Sequence, residues 1–245
     1  MNTSNPTLGT KTFENLERSE STMTAQGAVN KTGILFILLL IGAVFTWNTF
    51  VKSGAQAVMP LVMIGLIGGF VVSLITIFAK KAAFIFAPIY AILEGVALGG
   101  ISALIQSTMK EQIVIQAVIL TFGVLFLMLF LYKTGMIKVT GAFMQGVMAA
   151  TGAICLIYLV TFVLSFFNIQ IPYIHGSGIV GIGFSIFVVV LAAFNLVLDF
   201  HFITEGENAG APKYMEWYLA FGLMVTLVWL YLEILRLLMK LNNRR

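Results

Sequence analysis

Charged residues are scarce in this sequence. Asp, Glu, Lys and Arg make up 10% of the 245 residues, and 60% of the residues are hydrophobic. A soluble domain carries about 25% charged residues, and a domain of this length could not bury so much apolar surface in one core. The composition therefore excludes a soluble globular protein. The small excess of 14 Lys and Arg over 10 Asp and Glu indicates membrane topology rather than a nucleic-acid partner.

Cysteine and histidine are nearly absent. The single cysteine, Cys155, excludes an internal disulfide framework and multi-cysteine metal clusters. The only histidines are His175 and His201, so the chain has no His-Glu-x-x-His zinc motif. The segment around Ser185 lacks the second glycine of a nucleophile elbow. We therefore expect no enzyme activity, no stably bound metal and no cofactor.

Long apolar runs dominate the rest of the chain. Each run has at least 19 residues, which is enough to cross ~30 Å of hydrocarbon at ~1.5 Å per residue. Backbone groups find no water there, so the runs are expected to be helices. The predicted fold is an all-α integral membrane protein, a seven-transmembrane-helix bundle, with residues 1–30 as a polar cytoplasmic tail and 31–245 as the membrane domain. The predicted spans are 33–51, 57–79, 83–106, 113–132, 142–167, 177–199 and 217–239.

The distribution of Lys and Arg predicts the orientation of the spans. The side that holds the N-terminus collects eight of them, which indicates a cytoplasmic N-terminus: Lys11, Arg18, Lys31, Lys80, Lys81, Lys133, Lys138 and Lys213. The basic C-terminal end favours six spans instead, because six would return Arg236, Lys240, Arg244 and Arg245 to the cytoplasm. Residues 217–239 are nevertheless long enough to cross and contain no proline, which favours seven.

Two acidic residues within the predicted spans are the main candidates for function, because a charge in the membrane interior is expensive and is by default functional. Glu94 lies near the middle of the third span. Asp199 ends the sixth span and shares a helix face with Asn195, four residues earlier. His201 follows closely and titrates near neutral pH. The structural alternatives are a neutral Glu94 bonded to a neighbouring helix and an Asp199 that starts an acidic loop containing Glu205 and Glu207.

Glu233 and Arg236 are three residues apart near the end of the last span, so they can pair on one helix face. A mutually neutralised pair, or an arginine that extends to the membrane surface, explains them at least as well as a gate. They are therefore secondary candidates.

Four segments, in order along the chain, resemble the bacterial branch of the Bax inhibitor family. They are residues 21–32 before the first span, Glu94-Gly95-x-x-Leu98-Gly99, residues 195–200, and the closing stretch from Met215 to Leu238. The resemblance extends over essentially the whole chain. It implies a seven-helix fold and a location in the bacterial inner membrane.

The resemblance also implies a pH-sensitive calcium leak, which in better-known members is held closed by two aspartates that share a proton. Asp199 matches the first of these aspartates, whereas the position of the second is occupied by Thr226. A threonine can hydrogen-bond to Asp199 but cannot act as a second carboxylate. The paired-aspartate gate therefore does not carry over unchanged, and Asp199 either pairs with Glu94 or works in an altered gate.

The leading hypothesis is a pH-sensitive cation leak channel with calcium as its transient ion, and with Asp199, Glu94, Asn195 and Thr226 in the pathway. The alternative is a non-transporting regulator that binds another membrane protein, such as a protease or a cell-death factor. If the protein is a regulator, deleting the tail should abolish binding of its partner. If the protein is a pore, ion conduction should persist without the tail. A proton-coupled transporter is a third hypothesis, for which Pro88 inside the third span is the one indication.

Overall fold

A computed structural model describes residues 21–109, 111–167 and 176–243 of the chain. His175, Lys110, Arg244, Arg245 and residues 1–20 of the predicted tail lie outside this part. The described residues form helices joined by short connections, with one isolated β-bridge between Thr22 and Pro212. The helices are α1 (Ala25–Phe78), α2 (Ala83–Thr108), α3 (Ile113–Lys133), α4 (Gly141–Ser165), α5 (Ile179–Asn208) and α6 (Met215–Asn242), with a 3₁₀ turn at Lys80–Ala82.

The predicted all-α membrane fold is confirmed. Within the described residues, six helical segments are long and apolar enough to cross a membrane. The sequence predicts seven, and the difference lies in the first two spans, 33–51 and 57–79, which both fall within the 54-residue α1 except for Ala79, the residue after its end. The chain is therefore an integral, multi-pass membrane protein.

Helix α1 is interrupted at Gly54, where φ is 75° and ψ is −174°. A side chain would strain this backbone conformation, which glycine adopts freely. In a straight helix, Gly42 and Gly65 on either side of the interruption would be ~34 Å apart. A Cβ atom at Gly42 would nevertheless lie 2.5 Å from the carbonyl oxygen of Ile92, and one at Gly65 would lie 2.7 Å from that of Leu93. Both halves of α1 thus pack against one level of α2, so the chain reverses direction near Gly54.

Small residues allow α1 and α2 to approach closely. Gly95 and Gly99 of α2 lie against the carbonyl oxygens of Leu39 and Ala43 of α1. A Cβ atom at Gly65 of α1 would lie 2.8 Å from the backbone nitrogen of Ala97 in α2. Lipid provides no hydrophobic drive for helix association, so such close backbone packing is a main source of affinity between membrane helices. In the sequence, glycines four residues apart, Gly65 with Gly69 and Gly95 with Gly99, predict close helix contacts, and the structure confirms this prediction.

Helix α6 supplies much of the core. Its fully buried side chains include Tyr218, Leu219, Phe221, Met224, Leu230 and Leu235. The described residues divide into two compact units. One unit contains the described residues of 111–201 and 226–243, and the other contains those of 21–109 and 202–225. Helices α5 and α6 each contribute to both units.

Two helix boundaries differ from the sequence-based expectation. Helix α1 begins at Ala25, within the segment assigned to the tail, because the hydroxyl of Thr24 caps it by accepting a 2.9 Å hydrogen bond from the Gly27 N–H. Helix α5 continues to Asn208, so Glu205 and Glu207 are helical. The interpretation of Asp199 as the start of an acidic loop is therefore wrong, because the helix extends beyond the apolar run that marked it in the sequence.

Candidate functional site

Asp199 lies inside α5 and is only 2% exposed. Its neighbours Leu196, Val197, Leu198 and Phe200 are also buried. The side chain takes part in polar interactions, while its Oδ2 atom is enclosed without a hydrogen bond from the described residues. A carboxylate in such a position costs several kcal/mol to keep charged unless it is compensated.

Asn195 lies one turn before Asp199 on the same helix face and is buried. Its Nδ2 atom donates hydrogen bonds to Thr151 Oγ1 of α4 at 2.8 Å and to the Leu191 carbonyl oxygen at 2.9 Å. The amide nitrogen is therefore fully engaged in joining α5 to α4.

Thr226 is buried in α6, within the same compact unit as Asp199. His201 follows Asp199 on α5 and is partly exposed. Both residues make polar or aromatic interactions. The Thr226 hydroxyl thus lies on α6, and the His201 imidazole lies on α5, the helix that also carries Asp199.

Glu94 is buried near the centre of α2, with 9% of its surface exposed. A Cβ atom at Gly69 would lie 2.9 Å from Glu94 Oε2, so the carboxylate occupies space that the glycine leaves open. One turn earlier, the Tyr90 ring meets the Phe221 ring of α6 edge to face at 5.0 Å. Glu94 and Asp199 belong to different compact units, so the pairing of the two acids stays a prediction.

Glu233 and Arg236 pair as predicted. Arg236 Nη1 lies 2.9 Å from Glu233 Oε1 and donates a 2.7 Å hydrogen bond to the Tyr158 hydroxyl of α4. The Tyr158 hydroxyl in turn donates to Glu233 Oε1 at 2.9 Å, and the Trp229 N–H donates to the same oxygen at 3.3 Å. The guanidinium also lies 5.0 Å from the centre of the Tyr158 ring. This closed network ties α6 to α4, as the structural interpretation of the pair expects.

Sequence reasoning missed Glu216, the most completely buried acid in the described residues. It is 0% exposed, and its carboxylate accepts hydrogen bonds from the backbone and hydroxyl of Thr24 and pairs with Lys31 and Lys213. Its position in the first turn of a helix, where the helix dipole favours an acid, was the one available sequence signal. Its distant partner Lys31, 185 residues away, could not be read from the sequence.

Lys240 was likewise treated only as a terminal charge. The structure buries it, and its Nζ atom donates 2.9 Å hydrogen bonds to the Gly181 carbonyl oxygen and to Ser185 Oγ. The lysine thus joins the end of α6 to the beginning of α5. Cys155 is exposed.

No group of three or more His, Cys, Asp or Glu side chains in the described part of the chain could hold a metal ion. The acids are instead distributed singly along the helices.

A family model described as Bax inhibitor 1 like matches residues 5–243, which is nearly the whole chain. No curated protein and no solved structure matches.

Proposed function

Because this chain belongs to the Bax inhibitor 1 like family, we propose that it is a pH-sensitive leak channel for cations, with calcium as the transported ion. Asp199, Asn195 and Glu94 supply the pathway with oxygen atoms, and protonation of the two acids controls the leak. Thr226 and His201 adjust the response of Asp199.

The observation that carries this proposal is the burial of Asp199 on a helix long enough to cross a membrane. Removing a carboxylate from water is unfavourable unless a proton, a cation or hydrogen bonds compensate for it. An acid retained in such a place is by default a functional group. Since Asn195 uses its amide nitrogen on α4, its oxygen is the atom that can join Asp199 in contacting a cation.

The threonine at position 226 changes the gate that the family resemblance implies. A hydroxyl can donate a hydrogen bond to a carboxylate but does not titrate near neutral pH. We propose that Asp199 therefore responds to pH as a single carboxylate. The contribution of Asp199 to the pH response is then one titration step, separate from that of Glu94, whereas two acids that share a proton titrate as a coupled pair in two steps.

The proposed topology has seven crossings, a cytoplasmic N-terminus and a location in the bacterial inner membrane. The reversal of α1 at Gly54 supports separate crossings by residues 25–53 and 55–78, because each half is long enough to span ~30 Å of hydrocarbon. A single crossing by 54 residues would require a helix of ~81 Å. The lysines on the N-terminal side support the orientation.

The direct test is calcium flux into liposomes that contain the purified protein and an enclosed calcium indicator, measured over a pH series. The leak should increase as pH rises, because ionised carboxylates attract the cation and protonated ones do not. Asp199→Asn and Glu94→Gln imitate the protonated forms, so each variant should retain the low-pH leak at every pH. Asp199→Glu should restore a pH response.

Glu205→Gln is the matched control, since it removes a carboxylate that is exposed on α5. It should leave the flux unchanged. Thermal unfolding of each variant in detergent identifies any that fail to fold. An unchanged pH profile in both Asp199→Asn and Glu94→Gln would remove these acids from the mechanism. A wild-type chain without calcium flux at any pH would favour the regulator that binds another membrane protein.

A further inference from the structure

Residues 21–24, which we call the strap, lie against the connection between α5 and α6. The Met23 N–H donates a 2.7 Å hydrogen bond to the Ala211 carbonyl oxygen, and the Lys213 N–H donates a 3.1 Å bond to the Ser21 carbonyl oxygen. These two bonds flank the antiparallel bridge between Thr22 and Pro212. Met23 is buried, so the strap is docked by one apolar side chain as well as by its backbone.

The Glu216 carboxylate binds the strap through hydrogen bonds from Thr24. Its Oε1 atom accepts hydrogen bonds from the Thr24 N–H at 2.9 Å and the Thr24 hydroxyl at 3.2 Å, and lies 2.8 Å from Lys213 Nζ. Its Oε2 atom pairs with Lys31 of α1. One buried carboxylate thus joins the strap, α1, the α5–α6 connection and the start of α6.

Nearby residues are adapted to this contact. A Cβ atom at Gly27 would overlap the Glu216 carboxylate, so only glycine leaves room for it. The Ala25 N–H donates a 3.0 Å hydrogen bond to Glu207 Oε1 of α5, and Lys31 lies 5.5 Å from the centre of the Trp217 ring. The junction therefore binds the beginning of the described chain to both α5 and α6.

The junction also has a route to the candidate gate. Helix α6 runs without interruption from Glu216 to Thr226, ten residues later, a distance of ~15 Å along the axis. This uninterrupted helix is the covalent connection between the junction and the residue that occupies the second gate position. Lys213, one of the two cations at the junction, is half exposed, whereas the Glu216 side chain between the two lysines is fully buried.

We infer that the strap is a conformational device: when docked on Glu216 it holds α6 in the low-leak position, and when released it allows the leak to rise. This inference rests on the proposed leak-channel function. It assigns Glu216 a positioning role, because the carboxylate acts on the gate only through α6.

A disulfide between residues 22 and 212 can lock the strap. The bridge is a non-hydrogen-bonded antiparallel pair, in which Cα atoms lie ~4.5 Å apart, and this separation is within the range that a disulfide spans. The experiment uses Thr22→Cys with Pro212→Cys in the full chain, with Cys155→Ser to remove the other thiol. The rate of disulfide formation reports docking of the strap, and calcium flux in liposomes reports the leak.

We expect the oxidised pair to leak less than wild type, and a reductant to restore the leak. Glu216→Gln removes the negative charge that pairs with both lysines. In the chain that carries the cysteine pair, this substitution should slow disulfide formation. In the chain that lacks the cysteine pair, it should raise the leak several-fold. Glu205→Gln should change neither quantity. Each single cysteine variant, treated with oxidant, should leak like the untreated chain.

Two results would overturn the inference in distinguishable ways. If the wild-type chain conducts but its leak is the same with the strap locked, free or carrying Glu216→Gln, the strap is only a structural contact and the channel proposal survives. If the wild-type chain conducts nothing at any pH, the proposed function fails and takes this inference with it.

Discussion

At the scale of single residues, the close approach of α1 and α2 depends on the absence of side chains at a few positions. Gly65 is the clearest case, because the atoms that a Cβ would meet are the Leu93 carbonyl oxygen at 2.7 Å and the Ala97 backbone nitrogen at 2.8 Å. Neither backbone group can rotate away as a flexible side chain could. At this position, the short distance between α1 and α2 therefore requires a glycine, which has a hydrogen atom in place of Cβ.

Gly65→Ala should therefore destabilise the protein by about 1–3 kcal/mol, the usual cost of overpacking a tight interior. The matched control is Gly123→Ala in α3, where an added Cβ would meet nothing within 4 Å. Thermal unfolding in detergent should show a lower midpoint for Gly65→Ala and no loss for Gly123→Ala. Equal midpoints for the two variants would contradict the contact.

At the scale of elements, α6 is held along its length by three polar contacts with different partners. Glu216 fastens its first turn to the strap and α1, the pair of Glu233 and Arg236 fastens its second half to Tyr158 of α4, and Lys240 fastens its last turn to α5. Apolar packing alone specifies the position of a membrane helix weakly, since lipid competes for the same surface. These directional contacts determine the register of α6.

Lys240→Met should lower stability by about 1–3 kcal/mol, because it leaves the buried Ser185 hydroxyl without the amine that now bonds to it. Methionine keeps most of the side-chain volume, so the change tests the polar contact rather than packing. Lys52→Met makes the same change at an exposed lysine of α1 and should have no measurable effect. Indistinguishable unfolding midpoints for the two variants would show that Lys240 is not an anchor.

At the scale of the whole molecule, the number of crossings decides on which sides the ends of the chain lie. The reversal at Gly54 brings both halves of α1 against α2. Lys52 lies near this reversal, and Lys81 lies in the turn between α1 and α2. The proposed two crossings by α1 would place these lysines on opposite sides of the membrane.

Lys52→Cys and Lys81→Cys, each in a Cys155→Ser background, test this arrangement in whole bacterial cells. Both lysines are exposed, so the cysteines are accessible to a membrane-impermeant maleimide from one side. We expect labelling of position 52 in intact cells, and of position 81 only after lysis. The opposite pattern would reverse the orientation, and labelling of both positions from the same side would contradict separate crossings.

Several features of the fold and the site were predictable because they depend on residues close together in the sequence. The apolar runs predict helices, the spacing of three predicts the Glu233–Arg236 pair, and the paired glycines predict close helix contacts. The burial of Glu94 and Asp199 also follows from their positions within apolar runs. The end of α5 was not predictable in this way, because its last nine residues include polar side chains that no hydrophobic pattern marks as helical.

The sequence by itself determined that this chain is a membrane protein. Lipid requires long apolar helices, and each apolar run meets this requirement through residues that are adjacent in the sequence. Only the tertiary structure decided which polar groups meet. Glu216 pairs with Lys31, which is 185 residues away in the sequence, and Lys240 donates a hydrogen bond to Ser185, which is 55 residues away. Pairing at such separations depends on how the helices pack, and nothing in the local sequence encodes the distance between two groups far apart along the chain.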